Sequence, residues 1–304
     1  MRFEAPHPIP YQGSKRQLAD AILSFVPAGK YERLIEPFGG SAAITLAAAK
    51  RRVCRRYIVG ELLPPLVGIW QSILHSPEKI IEDYSALWRS QLTNPSRRFN
   101  QIREQFNEDQ DPAKLLFLLA RCVKNSVRFS QNGGFNQSAD KRRLGVRPQT
   151  LKQEILGAHN LLVGRSEVRC ADFRETLAEA DTLDIIYMDP PYQGVSNGRD
   201  SRYIEGVRRE SLVSALEDLN GRGIPYILSY DGICGEKSYG EPLPSSLGLK
   251  QVLLDAGRSS QATLSGRKWK TMESLYLSPG LWGDRHLPDV VRRGIHRTQL
   301  DLFR

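Results

Sequence analysis

The sequence predicts an α/β fold with a mostly parallel sheet, helices on both faces of that sheet, and a long helical insertion. Over most of the 304 residues, short apolar runs that end in polar or glycine turns alternate with helical patterns. Such alternation is typical of parallel sheets. From about Leu62 to Asn160 the patterns are helical only, which indicates an insertion into the sheet domain.

Five apolar runs are the strand candidates, namely ERLIEPFGG, RRYIVGELL, SEVRCADF, LDIIYMDPPYQG and IPYILSYDG. The fourth run is apolar at most positions from 183 to 188, as in a strand that is buried on both faces. Pro190 and Pro191 lack backbone donors and must end that strand. Asp189 and Tyr192 therefore lie in a rigid loop at the carboxyl edge of the sheet, where ligands bind in open α/β folds.

Helix candidates lie between these strands and throughout the insertion. Ser14 is predicted to cap a helix with Leu18, Ile22 and Val26 on one face, and Ser41 to open an alanine-rich helix. In the insertion, LVGIWQSIL, EKIIEDYSALWRSQL and AKLLFLLARCV have helical spacing. The polar stretch NSVRFSQNGGFNQSADKRRLGVRPQ predicts a basic loop or hairpin.

Charge indicates a polyanionic partner, because the net charge of +9 is unevenly distributed. Between residues 121 and 152 there is one acidic residue, Asp140, against eight basic ones. The basic residues are Arg121, Lys124, Arg128, Lys141, Arg142, Arg143, Arg147 and Lys152. This concentration predicts a phosphate-binding patch, and the alternative is a solvated surface loop.

The remaining composition is that of an ordinary globular protein, which we expect in the cytoplasm. Nothing near residue 1 resembles a signal peptide, and no apolar run approaches the roughly 18 residues of a membrane span. Cys54, Cys122, Cys170 and Cys234 stand far apart, so neither a disulfide framework nor a metal cluster is predicted. We expect all four to be buried thiols.

The stretch IEPFGGSAA has the composition of a nucleotide-binding turn. Its glycines allow close approach of the backbone to a ligand, and Glu61 ends the next strand, where an acidic side chain accepts hydrogen bonds from ribose hydroxyls. The alternatives are a tight turn without a ligand and a solvated glutamate. Glu36 would repel a pyrophosphate, so a ligand with ribose and without phosphate, such as S-adenosylmethionine, is favoured.

The motifs PYQGSKRQL, EPFGGSAA, GELLPPL, NSVRFSQNGGFNQS, RCADF and MDPPY occur in that order. In this respect the sequence resembles the Dam-like DNA adenine methyltransferases from about Pro10 to Pro279. The resemblance implies a Rossmann-like S-adenosylmethionine-dependent methyltransferase sheet with a helical DNA-recognition insertion. It also implies methylation of the exocyclic amine of adenine at specific duplex sites, with the base flipped out of the helix.

The resemblance divides the chain into three parts. Residues 1–61 and 161–283 would form the discontinuous catalytic domain, residues 62–160 the target-recognition insertion, and residues 284–304 a basic tail. Cofactor contacts are implied for Tyr11, Lys15, Glu36, Pro37, Phe38, Gly39, Gly40, Ser41, Glu61, Asp172, Phe173 and Asp189. Of these, Asp172 would lie near the cofactor's adenine and Phe173 would stack on it.

The catalytic loop implied by the resemblance is Asp189, Pro190, Pro191 and Tyr192. The Asp189 carboxylate and the Pro190 carbonyl would accept the two amine protons of the target base, and Tyr192 would stack on that base. DNA contacts are implied for Lys124, Asn125, Arg128, Gln131, Asn132, Lys141, Arg142 and Arg143.

Two further segments are candidates for contacts with other macromolecules. SGRKWK, residues 265–270, is either a second phosphate contact or a basic turn before a final strand in ESLYLSP. QLDLF matches the pentapeptide by which many bacterial proteins dock on the replicative sliding clamp, through Gln299, Leu300, Leu302 and Phe303. In the alternative, these apolar side chains fold back on the body of the protein.

Three other functions compete with adenine methylation. The same acceptor pair suits the exocyclic amine of cytosine, and a non-catalytic DNA-binding protein could retain the fold. RNA is a weaker candidate substrate, because the helical insertion with its basic loop suits duplex DNA.

Overall fold

A computed structural model describes residues 4–130, 133–191, 207–234, 237–239, 242–258, 270–283 and 290–291. Nine strands lie in these ranges: β1 (Arg33–Glu36), β2 (Arg56–Glu61), β3 (Ser166–Cys170), β4 (Asp184–Met188), β5 (Tyr226–Cys234), β6 (Lys237–Tyr239), β7 (Lys250–Arg258), β8 (Lys270–Leu277) and β9 (Val290–Val291). They form one sheet in the order β3-β2-β1-β4-β5-β8-β7-β9, and β6 pairs with β5.

The sheet is parallel from β3 to β5, and β8 is antiparallel to both β5 and β7. All five predicted strands are present. The chain runs outward from β1 through β2 to β3, then returns to the other side of β1 with β4 and β5. This reversal places a crevice at the carboxyl ends of β1 and β4, where open α/β sheets bind ligands.

The helices are α1 (Ala19–Leu23), α2 (Ala43–Arg51), α3 (Pro64–His75), α4 (Pro77–Ser90), α5 (Pro95–Asp109), α6 (Pro112–Arg121), α7 (Pro148–Leu162), α8 (Phe173–Ala178), α9 (Arg209–Gly221) and α10 (Pro279–Trp282). Helices α3 to α7 lie between β2 and β3, where the insertion was predicted, and each begins with a proline. Proline suits this position because its fixed φ is helical and the first helical N–H has no intrahelical partner.

Alternate residues of the central strands face two separate cores. Leu34 and Ile185 belong to the core that α1, α2 and the insertion helices cover, whereas Ile35 and Ile186 belong to the core beneath α8 and α9. The period of two explains why a parallel sheet covered on both faces appears in the sequence as a continuous apolar run. The predicted α/β class, with helices on both faces, is confirmed.

Ser14 occupies the N-cap position as predicted, but of a 3₁₀ helix, whereas the prediction that Ser41 opens α2 is wrong. A 3₁₀ turn at Lys15–Gln17 precedes α1, and α2 begins only after Ala42, which has a φ of 45°. Neither Ser14 nor Ser41 caps a helix through its side chain. Instead the Ser41 hydroxyl donates to the Ser14 hydroxyl at 2.9 Å and joins the two segments.

Two other local expectations also need correction. The run IPYILSYDG was expected to end in a polar turn, but β5 continues to Cys234 with a register irregularity between Ser229 and Gly232. Cys54 and Cys122 are buried as expected, whereas Cys170 is exposed, because it ends β3 at the edge of the sheet.

The described part of the polar stretch of the insertion forms a hairpin, here called the basic hairpin (residues 122–130 and 133–147). Isolated antiparallel bridges join Cys122 to Ala139 and Phe129 to Phe135. ESLYLSP contributes to β8 as predicted, whereas residues 265–269 of SGRKWK and the tail segment QLDLF lie outside the described residues. Within the described ranges, no helix is long and apolar enough to cross a membrane.

Candidate active site

Acidic side chains gather at the carboxyl edge of the parallel strands. Glu36 is the last residue of β1, and Glu61 is the last residue of β2. Asp172 follows β3 by two residues, and Asp189 directly follows β4. Because these strands are parallel neighbours, their ends meet along one rim of the sheet, and the four carboxylates lie around the crevice.

The turn between β1 and α2 requires its two glycines. The Gly39 N–H donates to the Gly60 carbonyl at 2.7 Å. A Cβ at Gly39 would lie 2.4 Å from Cγ1 of Val59 and 3.0 Å from the Gly60 oxygen. Gly40 has a φ of 48°, and a Cβ there would approach the Tyr11 ring to 3.4 Å. The turn therefore packs closely against β2, and the Tyr11 ring packs over the turn. The resemblance implies cofactor contacts for Tyr11 and for both glycines, and those contacts stay a prediction.

Trp70 of α3 anchors this turn from the insertion. Its side chain is fully buried, and its indole N–H donates to the Gly40 carbonyl at 2.9 Å. Sequence reasoning missed this residue, because a tryptophan in the apolar face of LVGIWQSIL is expected in any helical core. The available signal was the indole donor, which needs a partner when it is buried.

Glu61 bonds to the backbone on both sides of the crevice. Its Oε2 accepts the Gly40 N–H at 2.9 Å, and its Oε1 accepts the Leu63 N–H at 3.0 Å. Burial raises the pKa of Glu61, and these backbone hydrogen bonds oppose the rise. Glu61 thus fixes the glycine turn to the end of β2. Its contact with ribose stays a prediction.

Glu36 is almost completely enclosed, so its role differs from that of an exposed rim carboxylate. One oxygen, Oε2, accepts both the Thr45 N–H at 2.9 Å and the Thr45 hydroxyl at 2.6 Å. Burial raises the pKa of Glu36 to about 7, the hydrogen bonds from Thr45 lower it, and the Asp189 charge adds to the rise. Glu36 therefore ties the first turn of α2 to β1, directly behind Asp189.

Lys15 brings the predicted cofactor segment and the predicted catalytic loop together. Its Nζ lies 2.9 Å from Oδ1 of Asp189 and 3.7 Å from Oε2 of Glu273 on β8. The Lys15 side chain is only 7% exposed. Burial raises the pKa of Asp189, Lys15 lowers it, and Glu273 raises it. Glu273 was not predicted as a site residue, because it lies 84 residues after Asp189 in the sequence and belongs to none of the site motifs.

The region predicted to hold an adenine ring contains a pair of phenylalanines. Phe173 and Phe38 stack with centroids 5.2 Å apart, and Phe173 is buried whereas Phe38 is half-buried. Asp172 caps α8, because its Oδ1 accepts the Arg174 N–H at 3.0 Å and the Arg174 side chain at 2.8 Å. Part of Phe38 faces outward, so Phe38 is the more accessible of the two rings.

The other predicted positions are distributed as follows. Pro37, Ser41 and Pro190 are buried, and Pro191 is half-buried. Tyr192 lies outside the described residues, as do Gln131 and Asn132.

Comparison with known proteins identifies the family. Residues 11–253 match the model of the D12 class N6 adenine-specific DNA methyltransferases, which is most of the chain. The chain belongs to the D12 class N6 adenine-specific DNA methyltransferase family. The resemblance to DNA adenine methyltransferases that the motifs indicated is confirmed. Members of this family methylate adenine in DNA.

Individual relatives agree with this membership. A DNA N-6-adenine-methyltransferase of Escherichia phage P1 is 28% identical over 236 residues, which is 73% of this chain but only 29% of the phage protein. The Retron Ec67 DNA adenine methylase of Escherichia coli is 27% identical over 72% of this chain and 75% of its own length. A DNA adenine methylase of Salmonella typhi is 25% identical over 72% of this chain and 78% of its own length.

In this D12 family member, the basic hairpin has a buried frame and an exposed charged surface. Arg121, counted above within the basic patch, is buried and donates to Gln91 at 2.9 Å and to the Asp140 carbonyl. Asp140 is also buried, and its carboxylate accepts from Arg143 at 2.9 Å and from Arg142 at 3.4 Å. Arg121 therefore does not add to the surface patch, because its buried guanidinium joins Asp140 of the hairpin to Gln91 at the end of α4.

The predicted DNA-contacting residues fall into two groups. Lys124, Arg128, Lys141, Arg142 and Arg143 are exposed. Asn125 instead has internal partners.

The side chain of Asn125 donates to the Leu119 carbonyl at 2.7 Å, and its Oδ1 lies 3.4 Å from the Arg143 guanidinium. Its own carbonyl accepts the Gln12 N–H at 2.9 Å, three residues before Lys15. Asn125 therefore connects the hairpin to the segment that holds Lys15.

Proposed function

We propose that this protein transfers a methyl group from S-adenosylmethionine to the exocyclic amine of an adenine that is flipped out of duplex DNA. The observation that carries the proposal is the contact between Lys15 and Asp189. The Lys15 ammonium binds one oxygen of this carboxylate, Oδ1, and so fixes the side chain at the end of β4. A DNA substrate places this activity in the cytoplasm, on the nucleoid.

The residues of the crevice suit S-adenosylmethionine, which supplies an electrophilic methyl group on a sulfonium. A side chain at Gly39 would collide with Val59, and Gly40 has a positive φ that favours glycine, so backbone forms the floor of the crevice. Asp189 and Glu273 are two carboxylates around the single ammonium of Lys15, so the net charge favours a cation and opposes a pyrophosphate. Glu61 stands at the neighbouring strand end with acceptor sites for ribose hydroxyls.

Asp189 and Pro190 provide two acceptors at the same end of the sheet. The exocyclic amine of adenine is a poor nucleophile, because its lone pair is delocalised into the ring. Two hydrogen bonds, one to Oδ2 of Asp189 and one to the Pro190 carbonyl, would draw the nitrogen toward tetrahedral geometry and free that lone pair. Lys15 occupies Oδ1, so it holds the carboxylate in one orientation and leaves Oδ2 for the amine. Such preorganised polarity is a principal source of rate enhancement.

The two prolines after Asp189 support the acceptor role of this loop, because proline has no backbone N–H. Neither Pro190 nor Pro191 has an N–H, so no backbone donor at these positions competes with the amine for the two acceptors. Their fixed φ angles also limit the movement of the Pro190 carbonyl. Tyr192 follows them in the sequence and offers a flat face for the target base, a contact worth about 1–3 kcal/mol.

Base flipping would require a DNA interface outside the crevice, because the amine is inaccessible within a duplex and extrusion costs a few kcal/mol. The exposed cations of the basic hairpin are the candidates for that interface. Lys124 and Lys141 are exposed, and neither ammonium has a partner in the described part of the chain. Arg142 and Arg143 keep exposed guanidinium groups above their contacts with Asp140. These four cations suit phosphates rather than bases.

Mass analysis of nucleosides tests the reaction and its target base together. Duplex DNA is incubated with the protein and isotopically labelled S-adenosylmethionine, digested and separated. We expect label in N6-methyladenine, because the family is adenine-specific. Label in N4-methylcytosine would show that the same acceptors serve cytosine. DNA binding without transfer of label would show a non-catalytic protein.

We also propose that QLDLF docks the enzyme on the replicative sliding clamp, on the strength of its sequence pattern. Leu300, Leu302 and Phe303 would enter a preformed apolar groove, and Gln299 would bond to its rim. Phe303→Ala should weaken binding to purified clamp by at least about tenfold, since a buried aromatic anchor commonly contributes 2 kcal/mol or more. Unchanged affinity would exclude this docking mode.

A further inference from the structure

We propose that Glu273 is a positioning residue for methyl transfer, which shares the ammonium of Lys15 with Asp189 and so keeps the Asp189 carboxylate a strong hydrogen-bond acceptor. This inference rests on the proposed function of Asp189. It adds a residue from β8 that neither the sequence motifs nor the family match assigns to the site.

The geometry makes Lys15 a bridge with two unequal ends. The 2.9 Å contact with Oδ1 of Asp189 is a hydrogen bond, whereas the 3.7 Å approach to Oε2 of Glu273 is an ion pair without one. Asp189 and Glu273 are 21% and 19% exposed, and Lys15 is less exposed than either. Shielding from water strengthens all these interactions relative to pairs at an open surface.

The fold allows a residue of β8 to reach the end of β4. One strand, β5, separates them, and Glu273 lies opposite Gly232 in the β5–β8 pairing. Opposite residues of antiparallel strands place their side chains on the same face of the sheet. The register shift between Ser229 and Gly232 sets this alignment.

Four described groups act on the charge of Asp189 from the elements around it. Lys15 comes from the 3₁₀ turn before α1, Glu36 from β1, Tyr187 from β4 and Glu273 from β8. Burial raises the pKa of Asp189, Lys15 lowers it and Glu273 raises it. Without the Glu273 charge, one carboxylate would no longer attract the Lys15 ammonium, and a negative neighbour would be lost from the surroundings of Asp189. The carboxylate would then have a lower pKa and hold the amine protons more weakly.

Glu273→Gln tests this role, because it removes the charge and keeps the size of the side chain. Single-turnover methyl transfer is measured against pH with DNA and cofactor saturating. We expect the acid limb to move to lower pH and the plateau rate to fall about tenfold, while the Kd for DNA is unchanged. Glu273→Asp keeps the charge and should restore most of the wild-type profile. Glu167→Gln is the matched control, since Glu167 pairs with Arg169 on the edge strand β3.

A second readout does not depend on turnover. Carbon-13 NMR of aspartate carboxyls follows the titration of Asp189 in the free protein, with its resonance assigned by its absence in Asp189→Asn. A lower Asp189 pKa in Glu273→Gln is expected. An active wild type with no displacement of either titration in Glu273→Gln would overturn the inference and leave the proposed function standing. A wild type that transfers no methyl group to DNA would overturn both.

Discussion

The sheet edge and the basic hairpin both contain clusters of charged side chains, and the two clusters differ in how far those side chains are exposed to water. At the sheet edge, Lys15 is 7% exposed and contacts Asp189 and Glu273. On the hairpin, Arg142 is 88% exposed, and Lys141 is exposed without a partner in the described residues. Interactions between shielded charges are strong and are screened little by salt, whereas interactions between exposed charges are weak and are largely screened beyond about 10 Å.

This difference separates two kinds of effect. Changes at the sheet edge should alter the rate of transfer steeply, with little dependence on ionic strength. Changes on the hairpin surface should alter DNA affinity in small, additive and salt-dependent steps. The hydrogen bond of 2.9 Å from the Gln12 N–H to the Asn125 carbonyl joins the hairpin to the segment that holds Lys15. Single substitutions in each region can test whether their effects on rate and on DNA affinity differ in this way.

Lys15→Met should have the largest effect of the changes that sharpen this comparison. Removal of the ammonium takes away the cation that lies 2.9 Å from Asp189, while the negative charge of Glu273 remains. Because Lys15 lowers the pKa of Asp189, its loss should raise that pKa. The acid limb of the rate profile should then move to higher pH, opposite to the shift for Glu273→Gln. We expect a rate lower by about 10²-fold or more, measured by single turnover.

Two results at Lys15 would break the comparison. One is an acid limb that stays in place, and the other is a loss of rate that high salt abolishes. Either would show that Lys15 acts as a screened surface charge. Lys30→Met, at an exposed lysine remote from the site motifs, is the control and should keep the wild-type profile.

Part of this site could be predicted from sequence, because its residues follow strands in recognisable motifs. Glu36, Glu61, Asp172 and Asp189 each stand at or just after a strand that apolar runs reveal. Parallel order then brings them to one rim without any knowledge of side-chain contacts.

Glu273 and Trp70 could not be found in the same way. Each reaches the site from a distant segment, β8 or α3, and its role depends on register and helix orientation. Local patterns also misplaced Arg121. A run of basic residues does not show which of them is buried, and Arg121 is enclosed by Gln91 and Asp140.

Trp70→Phe should have an intermediate effect, because it removes the indole bond to the Gly40 carbonyl and keeps an aromatic ring. Loss of one buried hydrogen bond costs about 1 kcal/mol, so cofactor affinity measured by calorimetry should fall about fivefold. Trp88→Phe is the matched control, since its buried indole nitrogen has no hydrogen-bond partner among the residues that the structure describes. Equal losses in both variants would show that Trp70 acts through packing alone.

Lys124→Gln and Lys141→Gln should have the smallest effects. Each lost phosphate contact lowers the slope of log affinity against log salt by about 0.9, and the single-turnover rate at saturating DNA should not change. The measurement is a salt series of DNA binding. Lys79→Gln is the control, because Lys79 is exposed on α4 and pairs with Asp83. Unchanged slopes for both hairpin variants would move the DNA interface to another surface.

The most direct test of the account is the single-turnover rate of Asp189→Asn, with DNA affinity measured on the same sample. Asparagine keeps the size of the side chain but removes the charge that Lys15 holds, and its amide can turn a donor toward the amine. We predict a rate lower by about 10³-fold with the Kd for DNA within about twofold, while Asp83→Asn, at a half-buried position on α4 that pairs with Lys79, keeps full activity. A rate near that of the wild type would contradict the claim that Asp189 accepts the amine protons.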